Sequence, residues 1–167
     1  MPTTYEPIAT YTCATAQATI NFTSIPATYT DLVLAANFSF TNSTAYPNPR
    51  IQLNGDTTTP FPETSMYGTG SSAGSYRMTL YQWAYISAAS GGTTGNDKWI
   101  VLLNFQDYAN TTTYKPMLYR VNADLSESTG GVATWLSTNA INRIEWSLQS
   151  NSYAIGSTFT LYGIKAA

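Results

Sequence analysis

Histidine is absent from this 167-residue chain, and cysteine occurs once, at Cys13. Without histidine, neither a Ser-His-Asp nor a Cys-His arrangement can form. His/Cys zinc sites are excluded for the same reason. One cysteine cannot build an internal disulfide framework. Cys13 therefore reads as a small, partly buried hydrophobe in a strand, because no imidazole is there to activate it as a reactive thiol. Charge is scarce as well. Seven Lys+Arg stand against nine Asp+Glu, a net −2, and only 10% of residues are charged, where an average globular protein carries about 25%. The basic cluster of a nucleic-acid binder is missing. No run approaches the ~18 apolar residues of a membrane helix. The start, Met1-Pro-Thr-Thr-Tyr-Glu6, has neither the basic nor the apolar part of a secretory signal. These absences predict no nucleic-acid partner, no membrane partner, and synthesis in a cytoplasm.

What is present is a chain able to fold. Hydrophobic residues make up 43% and aromatics 14%, well outside the range of disordered chains. The length fits one domain, residues 1–167. A domain of this size buries roughly 70% of its unfolded surface and needs no disulfide or metal to do so. The polar surface is mostly neutral, with 43 Thr and Ser beside 16 charged residues.

The hydrophobic period is two. Leu32, Leu34, Ala36, Phe38 and Phe40 form one face of a long run, and Val33, Ala35, Asn37 and Ser39 the other. Trp99, Val101, Leu103 and Phe105 alternate with Ile100, Leu102 and Asn104. Ile20 and Phe22, Ile144, Trp146 and Leu148, and Phe159 and Leu161 repeat the pattern. Successive strand residues point to opposite faces, so each run has one core side. Further strands are expected at Tyr5–Thr12, Ile51–Leu53, Tyr76–Ser87, Lys115–Ala123 and Val132–Ser137, for nine or ten in all. Breakers separate them: an Asn-Gly pair at Asn54-Gly55, and Gly-rich loops starting at Gly68, Ser90 and Ser126. A short turn of helix is expected near Ser137-Thr-Asn-Ala140. The fold class is all-β: an antiparallel two-sheet β-sandwich of jelly-roll type.

Few side chains suggest chemistry. Nine carboxylates (Glu6, Asp31, Asp56, Glu63, Asp97, Asp107, Asp124, Glu127 and Glu145) show no spacing that suggests the pair a glycosidase needs. The chain is therefore expected not to be an enzyme, with no catalytic residue, no cofactor and no metal. Asn54 and Asp56 could offer oxygens to an ion, but an Asn-Gly turn followed by an Asx-type bond is the simpler reading. Trp99 and Trp146 fall on core positions. Tyr81, Trp83 and Tyr85 share one face and are the candidate contact surface, since exposed aromatics serve interfaces and sugar stacking. Asn-X-Ser/Thr at Asn21, Asn37, Asn42 and Asn110 reads as strand and turn sequence. So low a surface charge suits a protein held in a permanent assembly.

Several stretches resemble a family of small virion structural proteins, capsid-decoration or fibre-like, from tailed bacteriophages and particularly cyanophages. They are Tyr5-Glu-Pro-Ile-Ala-Thr, then Ala18-Thr-Ile-Asn-Phe-Thr-Ser-Ile-Pro-Ala-Thr-Tyr-Thr-Asp-Leu-Val-Leu, Leu53-Asn-Gly-Asp, Phe105-Gln-Asp-Tyr-Ala-Asn-Thr-Thr-Thr-Tyr-Lys-Pro, Trp135-Leu-Ser-Thr-Asn-Ala-Ile and Gly156-Ser-Thr-Phe-Thr-Leu-Tyr-Gly-Ile-Lys. The stretch from Thr57 to Asn96 departs from the family pattern. The resemblance implies a place on the exterior of a virion and brings no catalytic residues. It implies partners such as the major capsid protein or other virion proteins, and a homo-oligomer, a trimer being one form. The first expectation is a capsid decoration or cement protein that stabilises the shell. The alternative is a tail-fibre or receptor-binding module that recognises host-surface glycans.

Overall fold

The computed structural model describes residues 4–41, 47–79, 81–86, 98–123 and 127–165. Twelve strands run in chain order: β1 (Tyr5–Thr12), β2 (Thr19–Phe22), β3 (Asp31–Phe38), β4 (Pro49–Leu53), β5 (Glu63–Gly68), β6 (Ala73–Met78), β7 (Ala84–Tyr85), β8 (Trp99–Phe105), β9 (Lys115–Ala123), β10 (Glu127–Trp135), β11 (Ile144–Leu148) and β12 (Thr158–Ile164). They form an eight-stranded sheet, β1-β12-β3-β8-β9-β10-β5-β6, and a four-stranded sheet, β2-β11-β4-β7. Every pairing is antiparallel. The fold is an all-β sandwich, and the chain's repeated crossing between sheets is compatible with a jelly roll. No described helix is long and apolar enough to cross a membrane.

The alternation explains the core. Leu32, Leu34, Ala36 and Phe38 on β3 face inward beside Trp99, Val101, Leu103 and Phe105 on β8 and Phe159 and Leu161 on β12, and all are buried. Ile20, Ile51, Ile144 and Trp146 approach from the smaller sheet. The Phe38 ring joins the layers. It stacks on Phe159 at 5.7 Å and meets Trp146 edge-on at 5.7 Å and Tyr153 at 5.2 Å. Trp99 and Trp146 are core residues; Cys13 is fully buried, not partly, and lies just past the end of β1, not within a strand. Burial raises the Cys13 thiol above its ordinary pKa.

Several details depart from the sequence reading. The run from Leu32 to Phe40 is not one strand: β3 stops at Phe38, and Phe40 continues as an isolated bridge to Tyr153. The expected loop starting at Ser126 is strand from Glu127 onward, so the two glycines there lie inside β10. The span Tyr76–Ser87 is two strands, not one: β6 ends at Met78 and β7 holds only Ala84 and Tyr85, while Ser87 lies outside the described residues. Ser137–Ala140 forms no helix, because long-range partners take its carbonyls: Asn54 Nδ2 donates to Ala140 O at 2.8 Å, and Lys115 Nζ donates to Thr138 O at 3.2 Å. Asn42 and the loop from Ser90 to Asp97 also lie outside the described residues.

Candidate functional site

The segment carrying Tyr81, Trp83 and Tyr85 lies at the edge of the four-stranded sheet. Among the described residues β7 pairs only with β4, through Arg50↔Tyr85 and Ile51↔Ala84. Ala84 points inward and is fully buried. Period two then turns Tyr85 and Trp83 outward. The three rings meet there: Tyr81 and Tyr85 at 5.1 Å, Tyr81 and Trp83 at 6.1 Å, Trp83 and Tyr85 at 6.2 Å. Tyr81 is 43% exposed, the other two half-buried. The structure thus brings all three candidate residues together, although by a bend before a two-residue strand and not along one long strand.

Polar side chains of the outer face border the rings. The Arg50 guanidinium lies 4.8 Å from the Trp83 ring centroid, a cation–π contact, and its Nε donates to Ser147 Oγ at 3.2 Å. Arg50, Gln52, Trp83, Glu145 and Ser147 line a hollow of about 90 Å³. Arg143 pairs with Glu145 at 2.7 Å on the same face and also donates to Asn21 Oδ1 at 3.0 Å. Among the described residues, neither ion pair includes Arg50.

Behind the rings lies a carboxyl that the sequence reading did not single out. Glu63, at the start of β5, is only 2% exposed. Its Oε1 accepts the Tyr119 hydroxyl and, at 3.3 Å, the Tyr76 hydroxyl. Its Oε2 accepts the Tyr85 backbone N–H at 3.2 Å. Burial, opposed by these hydrogen bonds, pushes the carboxyl up to about 7. Tyr119 reaches Glu63 across Gly131, where an added Cβ would sit 2.5 Å from the tyrosine Oη. The glycine pair at 130–131 was the available signal, since glycine inside a strand often marks a close approach.

Asn54 and Asp56 serve the fold. Asn54 and Gly55 both have positive φ, 54° and 67°, and Asp56 N donates to Leu53 O at 2.9 Å, closing the Asn-Gly turn. Asp56 Oδ1 accepts the backbone N–H groups of Thr58 (2.8 Å) and Thr59 (3.1 Å), and Oδ2 accepts Trp135 Nε1 at 3.2 Å. Burial raises Asp56, but the hydrogen bonds from Thr58 and Thr59 outweigh it and hold the carboxyl well below the usual range. Asn54 Oδ1 accepts from Asn142 and Arg143. Among the described residues no three His, Cys, Asp or Glu gather as a metal cluster.

A second surface feature is a groove on the outer face of the eight-stranded sheet. Two adjoining depressions, about 620 and 520 Å³, share Arg120 and Gly130. Met66, Leu118 and Val132 wall one, Ile100 and Leu102 the other. The walls are aliphatic, and the structure holds nothing that covers them.

No protein-family model matches the chain, and no curated protein matches it in sequence. Among solved structures it is similar to that of the alginate lyase Aly36B, with a TM-score of 0.39 and 10% identity over 93% of this chain and 77% of the other. A likeness at that level assigns no activity.

Proposed function

We propose that this chain is a structural protein of a tailed-bacteriophage virion, sitting on the outside of the capsid as a decoration or cement protein. The observation that carries the reading is the cluster of Tyr81, Trp83 and Tyr85 on the open edge of the smaller sheet. Large aromatic rings left half-covered at the edge of a sheet are what a protein contact would bury. The hydroxyl-rich, weakly charged surface and the resemblance to virion proteins support the same role. A ligand that binds only the assembled shell stabilises it by mass action, and many copies add avidity.

A second reading is supported by the hollow beside the rings. Arg50, Gln52, Glu145 and Ser147 offer donors and acceptors next to Trp83, the mixture a sugar needs from a tail-fibre or receptor-binding module. Particles lacking the protein separate the two readings. Loss of heat or osmotic resistance, with hundreds of copies per wild-type particle, supports decoration. Loss of host attachment, with a copy number that is a small multiple of three or six, supports the fibre. Deletion particles that keep both properties would exclude both.

A further inference from the structure

Glu63 couples the two sheets at the place where the ring patch is mounted. Its carboxyl belongs to the eight-stranded sheet, yet it holds the Tyr85 N–H of β7 in the smaller one. Elsewhere the patch backbone is held by Phe61 N donating to Tyr81 O at 2.8 Å, by Ile86 N donating to Pro49 O at 2.7 Å, and by the two-residue pairing with β4. A two-residue strand at a sheet edge has few bonds to lose, so each anchor counts.

The groups around this carboxyl are all neutral. Tyr76 faces it from β6, Tyr119 from β9 and the Tyr85 amide from β7. The residues paired beside it, Met78 on β6 and Ala133 on β10, carry no charge. Neither ion pair among the described residues includes it. A carboxylate buried without a cation loses its hydration and gains only neutral hydrogen bonds. Any motion that lets water reach it relieves that loss, and only when the group is ionised.

We infer that the Glu63 carboxyl is a proton-operated latch: protonated, it keeps β7 and the Tyr81/Trp83/Tyr85 cluster docked on the eight-stranded sheet; ionised, it favours their release into water. As regulation of the ring patch, this rests on the patch being the contact surface; as a property of β7, it does not. The sign follows from linkage. The docked state holds the proton up to about pH 7, whereas a hydrated Glu63 returns to its ordinary value of 4.5. The opening equilibrium therefore rises by about tenfold per pH unit between these values and levels off above the upper one. In a partner-bound particle, the patch is best formed in mildly acidic surroundings and loosens above neutrality.

Amide hydrogen exchange of the full-length protein tests the latch without any partner. The protection factor of the β7 amides, which removes the intrinsic pH dependence of exchange, is measured from pH 5 to 8.5. It is expected to fall about tenfold per unit to near pH 7 and then to flatten, by on the order of hundredfold overall. In Glu63→Gln it should stay constant. The Tyr119→Phe variant removes one donor that favours the ionised form, so the plateau should begin at higher pH. It serves if Glu63→Gln does not fold. A wild-type protection factor that is flat over this range, or a fall that persists in Glu63→Gln, overturns the latch. Particle binding by the wild type at pH 5.5 and 8 then tests the patch separately. A working latch with no binding at either pH removes the contact reading and leaves the latch standing.

Discussion

The rings around Phe38 and the rings around Trp83 are spaced alike, at about 5–6 Å between centroids, and differ in what surrounds them. Phe38, Trp99, Trp146, Tyr153 and Phe159 come from both sheets and from one isolated bridge, and all are buried. Among the described residues, Trp146 Nε1 and the Tyr153 hydroxyl find no hydrogen-bond partner, and neither does Trp83 Nε1 of the outer trio. The outer trio comes from one short segment, held by backbone bonds and by Glu63, and its rings stay partly exposed. Aromatic content alone therefore says little. What separates a core from a contact surface is whether packing closes over the rings from both sides.

The largest effect should come from breaking the inner cluster. Phe159→Ala removes the ring stacked on Phe38 and the edge contacts to Trp146 and Tyr153. It should cost about 3–5 kcal/mol in denaturant unfolding. An inner ring that costs no more than an outer one would erase the distinction.

Next in size is the pH dependence of the anchor behind the outer cluster. Glu63 sits at about 7 in the folded protein against an ordinary 4.5. Its raised value means that stability is full below pH 4.5 and is lost as pH climbs through 7. Compared with Glu63→Gln, the wild type should lose on the order of 3 kcal/mol across that window. Urea midpoints of the two proteins at pH 4.5 and 8 measure it.

Asp56 should show the opposite sign and a smaller size. Its carboxyl is held low, so its contribution is present above pH 4 and is lost on acidification. Asp56→Ala leaves the N–H groups of Thr58 and Thr59 and the Trp135 indole without their acceptor, at a cost of about 1–2 kcal/mol at pH 7. In unfolding curves the gap between variant and wild type should narrow from pH 7 to pH 3 and close only in still more acid solution, where the folded carboxyl takes up its proton. Two carboxyls, one buried among neutral donors and one capping a turn, would then mark the two regions by opposite slopes.

How far these regions were legible depends on the range of the interactions involved. Strands such as Tyr5–Thr12 and Lys115–Ala123 follow from alternation, which is local, and so does the inward face from Leu32 to Phe38. β5 escaped because its inward positions are Glu63, Ser65 and Tyr67, which break the apolar rhythm. The start of β10 read as loop because glycines 130 and 131 look like breakers. For Gly131 the reason lies twelve residues away, where Tyr119 needs the space over it. A similar crossing occurs where the Tyr29 ring covers Gly163 and its hydroxyl donates to Glu6 at 3.3 Å. The trio Tyr81, Trp83 and Tyr85 was legible as residue types on a period of two. Its anchors, Phe61, Arg50 and Glu63, were not, because each belongs to another strand or loop brought near only by folding.

The smallest stability effect is also the sharpest test of the outer cluster. Tyr81→Ser deletes the most exposed of the three rings. The backbone acceptor used by Phe61 N survives the change. What is lost is the edge contact with Tyr85 at 5.1 Å and the tilted one with Trp83 at 6.1 Å, together worth about 0.5–1 kcal/mol when half solvated. The melting temperature should therefore move by only a few degrees. Retention on particles should fall by tenfold or more if the rings are the contact, because a truncated aromatic anchor commonly costs above 1–2 kcal/mol of binding. A melting shift as large as that of Phe159→Ala would make the trio a piece of core. Unchanged retention with an unchanged melting temperature would leave the rings as surface without a partner.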